Sequence, residues 1–213
     1  MSRSTWNSVS PEVAVEQTRN VAILIFDDVE VLDFCGPLEV FSVTGRQRQP
    51  APFNVYTVAE TSGPVLARNQ LSVNPSHTIA ECPPPHILVV PGGWGTRREM
   101  NNPRLVDWIK TVASTAEIVL SVCTGSLLLA KAGLLDGLKA TTHHGALDLL
   151  QQVAPTATVL RDQRFLDNGR IIVSAGVSAG IDAAFHLVAR LLGKEDALET
   201  ARYIEYHWRD EPG

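Results

Sequence analysis

Short, wholly apolar runs separated by amphipathic segments are the feature that most narrows how this chain can fold. Val21–Phe26, Ile87–Val90 and Ile118–Val122 are each four to six residues long. They are short for helices and lack the alternation of a strand with one wet face. Such runs suit strands buried on both faces, so a mostly parallel sheet covered by helices is expected. All of them fall far short of the ~20 residues that a membrane-crossing helix needs.

Between these runs the local signals place further elements. A helix is predicted from Gly36 to about Val43, with Pro37 in its first turn. Phe53–Ala59 reads as a second strand, and Gly63–Val73 as a hairpin excursion. Asn102 is placed to cap a helix running from Pro103 to about Ala113. Leu127–Ala132 forms another, closed by Gly133. Ala140–His143 is expected as a short strand and Ala146–Val153 as a helix. Thr158–Phe165 and Arg170–Ser174 flank Asp167-Asn168-Gly169, a strong hairpin turn. Two amphipathic helices close the chain, Ala179–Leu192 and Glu195–His207. Residues 1–19 read as a flexible tail and 20–213 as one domain, since no repeat or linker interrupts them.

At 213 residues the chain is long enough for one sizeable core. A net charge of −5 and the absence of any Lys/Arg run argue against a nucleic-acid-binding face. Three cysteines at irregular positions make no disulfide framework, which points to a reducing, cytoplasmic setting. No Cys/His spacing resembles a zinc site, so neither a metal nor a cofactor is expected, and no membrane partner either.

Ligands of open α/β sheets bind beyond the carboxyl ends of the strands, where three features fall. Cys123, in Ser121-Val122-Cys123-Thr124-Gly125-Ser126, ends a strand and opens a helix, the layout of a nucleophile elbow. The N-terminus of that helix is expected to lower the thiol's pKa. Gly92 and Gly93 follow the Ile87–Val90 strand. With the Thr124 amide they are candidates for an oxyanion-type hole. Asp33, flanked by apolar neighbours, is either a helix-capping residue or a partly buried carboxyl that shuttles a proton. His143 and His144, if on a strand, point to opposite faces, and one of them is a candidate contact for Cys123. Cys35 and Cys82 read as structural.

These segments resemble the ThiJ/PfpI superfamily, related in fold to class I glutamine amidotransferases. The markers are Leu32-Asp33-Phe34-Cys35-Gly36-Pro37, Val90-Pro91-Gly92-Gly93, the Cys123 segment, Thr141-Thr142-His143 and Ser178-Ala179-Gly180-Ile181-Asp182. The resemblance implies a three-layer, flavodoxin-like α/β sandwich with a mostly parallel central sheet, and a homodimer. The nearest patterns are those of isocyanide (isonitrile) hydratases and of sensor domains of AraC-like regulators. By that resemblance Cys123 attacks the isocyanide carbon of a small-molecule substrate to give a thioimidate, and Asp33 manages the protons. Thr124 holds the thiolate or water, while Gly93 and Thr124 supply backbone donors. PfpI-type proteases carry His after the cysteine, where this chain has Thr124, which turns the reading away from proteolysis. The glyoxalase/deglycase branch places a Glu near the first strand, where the matching acid here is Asp33. The isocyanide-hydratase pattern continues with Trp after the histidine, where this chain has His144. Two alternatives stay open: a glyoxalase- or deglycase-type activity, and a stress or ligand sensor without turnover.

Overall fold

In the computed structural model, which describes residues 17–208, β1 (Arg19–Leu24) leads into α1 (Val31–Val43) and β2 (Phe53–Ala59). A small hairpin, β3 (Val65–Leu66) and β4 (Ser72–Val73), precedes β5 (His77–Thr78) and β6 (Ile87–Val90). Then come α2 (Thr96–Glu99), α3 (Pro103–Thr115), β7 (Ile118–Ser121) and α4 (Gly125–Lys131). The remainder runs β8 (Lys139–Ala140), α5 (Leu147–Val153), β9 (Thr158–Val159), β10 (Phe165–Asp167) and β11 (Ile171–Ser174). It ends with α6 (Ala179–Leu192) and α7 (Lys194–Tyr203).

Seven of these strands form one sheet in the order β10-β11-β7-β6-β1-β2-β5, parallel except for the β10–β11 pair. All four residues of β6 and of β7 are buried, as continuous apolar runs require. Helices α1, α6 and α7 pack together, as do α3, α4 and α5, and both groups contact strands. The result is the expected three-layer α/β sandwich. From β1 the chain goes to β2 on one side and then crosses to β6 on the other. The carboxyl ends of β1 and β6 therefore make the topological switch point, where open sheets leave a crevice. Among the described residues no helix is long and apolar enough to cross a membrane.

Most predicted elements lie where expected; three differ for physical reasons. Helix α1 begins at Val31, five residues before Gly36, so Pro37 sits inside the helix. Its start is fixed by tertiary contacts: Glu30 N–H donates to Gly92 O at 2.9 Å, and Val29 bridges to Gly93. Glu30 itself makes no side-chain cap. Thr158–Phe165 is not one strand: β9 pairs with β8 in a separate ladder, and only β10 joins the hairpin with β11. Asp162, at φ 58°, breaks the run. The strand expected over Ala140–His143 stops at Ala140, and His143 caps a 3₁₀ turn. The tail expected over residues 1–19 lies outside the described residues as far as residue 16, whereas Arg19 already opens β1.

Candidate functional site

Cys123 owes its position to the end of β7. Val122 N–H donates to Val90 O at 3.0 Å, the last bond holding the strand to β6. The chain then turns with Cys123 at φ 55°, a left-handed conformation costing an L-residue roughly 1–2 kcal/mol. The turn is held from several sides. Cys123 N–H reaches Ser174 O at the end of β11 and Ala175 O just beyond it, and its carbonyl accepts from Thr142 Oγ1 at 2.8 Å and Ser126 Oγ at 3.1 Å. Gly125 is required at the start of α4, because a Cβ there would lie 2.0 Å from Val90 O. Cys123 as a whole is 5% exposed.

Asp33, in the first turn of α1, is fully buried and faces the thiol across the switch point. Its Oδ2 accepts from Gly92 N–H at 3.0 Å, while buried Oδ1 has no N–H or O–H partner. Gly92 fits between Asp33 and Thr124 only because it lacks a side chain. A Cβ would stand 2.5 Å from Thr124 N and 2.8 Å from Asp33 Oδ2. Burial pushes the Asp33 carboxyl up to about 7, with the Glu30 charge adding to the rise. The Cys123 thiol and the Gly92 and Val177 amides pull it partly back. Burial and then the Asp33 charge push the Cys123 thiol up to about 12, against the Thr124 and Val177 amides. The lowering expected from the α4 N-terminus is thus outweighed by desolvation. The two groups share one buried setting, in which a charge on Asp33 disfavours a charge on Cys123.

The glycine amides expected to face a substrate are already engaged. Gly92 N–H is taken by Asp33, and Gly93 N–H donates to Thr124 Oγ1 at 3.0 Å. The amides that face the thiol belong to Thr124 and Val177. Val177 was not singled out in the sequence. It adopts φ 51°, which a β-branched residue rarely does, and its amide pulls down both the Asp33 carboxyl and the Cys123 thiol. The signal that pointed there was the small-residue segment running from Gly176 to Gly180.

His143 and His144 do not diverge: their rings lie 4.2 Å apart, because the chain has left strand geometry by then. His143 packs over Gly176, where a Cβ would come within 2.5 Å of its ring, and its Nδ1 accepts from Gly145 N–H. Burial holds His143 below its ordinary value, helped by His144 and Arg97. It lines a cleft of about 440 Å³ with Thr142, Val177, Arg161 and Gln163, rather than bonding the thiol. Cys35 and Cys82 are half-buried, and burial raises both thiols. Among the described residues no cluster of three or more His, Cys, Asp or Glu is arranged to hold a metal ion.

A parallel sheet with a cysteine at a strand-to-helix elbow, faced by a buried carboxyl from the first helix, defines a class of cysteine-centred α/β sandwich proteins. The chain belongs to the DJ-1/PfpI family, whose model matches residues 19–190. It is 34% identical over 186 residues to the isonitrile hydratase of Pseudomonas putida, covering 87% of this chain and 78% of that protein. It is also 31% identical over 178 residues to the HTH-type transcriptional regulator CdhR of Pseudomonas aeruginosa. That match covers 84% of this chain and 52% of the regulator, so the chain spans about half its length. Among solved structures, a ThiJ/PfpI family protein from Pseudomonas syringae superposes with a TM-score of 0.84 at 28% identity. The match covers 100% of this chain and 84% of that one. DJ-1beta of Drosophila melanogaster shares the fold, with a TM-score of 0.77 at 18% identity, covering 90% and 100% of the two chains.

Proposed function

We propose that the protein is a cysteine-dependent hydro-lyase that hydrates an isocyanide to an N-substituted formamide. The observation that carries this reading is the buried Asp33 carboxyl facing the buried Cys123 thiol, an acid and a nucleophile placed as general acid–base chemistry requires. The identity with an isonitrile hydratase over most of both chains supports it.

In this mechanism Cys123 Sγ bonds to the isocyanide carbon as its proton passes to Asp33 and from there to that same carbon, giving a thioimidate. Water then adds across the C=N bond, with its second proton going to nitrogen. Collapse of the adduct breaks the C–S bond, returns a proton to the thiol and releases the formamide. The Thr124 and Val177 amides are the donors for charge that develops beside the sulfur. His143 and Val177 shape the cleft that takes the substituent. We take the working form to be a cytoplasmic homodimer that acts on a small molecule, with no cofactor, metal, nucleic acid or membrane.

The test is incubation with cyclohexyl isocyanide, following formamide by NMR, for the wild type, Cys123→Ala and Asp33→Asn. Formamide formed only with both residues intact supports the reading. Lactate from methylglyoxal without any formamide would replace it with a glyoxalase-type activity. The match to a regulator favours a second reading, ligand sensing without turnover. Tight isocyanide binding with no product would support that one.

A further inference from the structure

Val177 presents its N–H to the thiol from φ 51°, a conformation that a β-branched residue does not keep unaided. Such strain persists only where the surroundings over-determine it. One residue grips the chain on both sides of this turn. Upstream, Arg164 O accepts from Ala175 N–H at 2.9 Å. Downstream, the Arg164 guanidinium reaches past Val177: Nη2 donates to Ser178 Oγ at 3.1 Å and Nε to Asp182 Oδ2 at 2.5 Å. The Ser178 hydroxyl makes no cap bond at the start of α6, and Arg164 is what holds it. Asp182 is buried, and its other oxygen accepts from Tyr206 OH at 3.0 Å. Tyr206 in turn stacks on Phe185, with ring centroids 5.6 Å apart. The carboxylate that Arg164 grips is therefore a fixed anchor.

We propose that Arg164 is a positioning residue: it staples the two ends of the Gly176–Val177 turn together and so keeps Val177 N–H aimed at Asp33 and Cys123. Its bonds go to the turn and to α6 rather than to either reacting group. The role is independent of which molecule the sulfur attacks, and in that sense goes beyond the hydratase reading. Without the guanidinium the upstream bond to Arg164 O remains, but the downstream end of the turn is released. Val177 then relaxes toward negative φ, and its N–H swings out of the site. A lysine at this position keeps a charge beside Asp182 but loses the planar fork that meets two partners at once.

The test reads Asp33 itself, by NMR titration of the full chain carrying carbon-13 at its aspartate carboxyls, with Asp33→Asn to assign the signal. The wild-type midpoint is expected near 7, where Cys123 and Glu30 are the side chains that act on the carboxyl. Arg164→Gln raises that midpoint by roughly 0.4–1 pH unit, the scale of one lost amide hydrogen bond. Val177→Gly in the same background reverses most of the rise, because glycine holds a positive φ without a staple. Should Arg164→Gln not fold, Arg164→Lys carries the test, with a smaller rise that Val177→Gly also reverses. An unmoved midpoint beside a lowered melting temperature makes Arg164 merely structural and overturns the proposal. A rise that survives Val177→Gly is a direct effect of the altered side chain and overturns it as well. Formamide plays no part in these readings, so a wild type inert to isocyanide rejects the hydratase reading alone.

Discussion

Replacing Asp33 by Asn removes a charge that the fold has buried, and the effect on stability depends on pH. The carboxyl rises from its ordinary 3.8 to about 7, chiefly through burial. A carboxyl held up in the folded state binds its proton more tightly there than in the unfolded chain. Its cost is therefore absent well below pH 4 and grows as the pH climbs toward 7. At about 1.4 kcal/mol per pH unit, the interval from 3.8 to 7 corresponds to roughly 4 kcal/mol of stability lost above neutrality. Asn keeps an acceptor for the Gly92 amide but brings an NH₂ group that must find its own partner. We therefore expect a net gain of about 2–4 kcal/mol at pH 8 and under about 1 kcal/mol at pH 4. Urea unfolding of wild type and Asp33→Asn across this range, with unchanged m-values, measures the gap. A gap that stays constant with pH, or Asn destabilising most at pH 8, would refute the reasoning.

Iodoacetamide alkylation of Cys123 should rise through about pH 7 and then level off, as the coupled pair loses its first proton. A rate that climbs only in strongly alkaline solution would show that Asp33 does not relieve the thiol of its proton. Gly92→Ala drives a Cβ into Thr124 and Asp33 and should cost about 1–3 kcal/mol with loss of Cys123 reactivity, read by thermal melts and alkylation. Cys123→Gly should be about 1 kcal/mol more stable than Cys123→Ala in urea, because φ 55° is relaxed for glycine alone. Equal midpoints would mean that the elbow stores no backbone strain.

The sheet was legible because β1, β6 and β7 are buried on both faces and so read as unbroken apolar runs. Cys123, Asp33, Gly92 and Thr124 were legible because they stand at the ends of those runs or just beyond them, and the structure brings them together. The α1 start was not, because it depends on Gly92 O and Gly93, which lie about sixty residues away. Glycine as a ready amide donor was misread for the same reason: whether Gly92 N–H is free depends on where Asp33 sits. Val177 contributes through a rare φ that only the folded chain displays.

Asp33, Gly92, Cys123 and Val177 come from four separate stretches spanning most of the described chain. A chain emerging from synthesis therefore presents Cys123 as an ordinary thiol until the segment after β11 has docked. Its buried place beside Asp33 is acquired late, as a sign that the domain is finished. Incomplete or truncated chains would lack it, and a thiol reagent that tells a buried sulfur from an open one would count only completed molecules as protected.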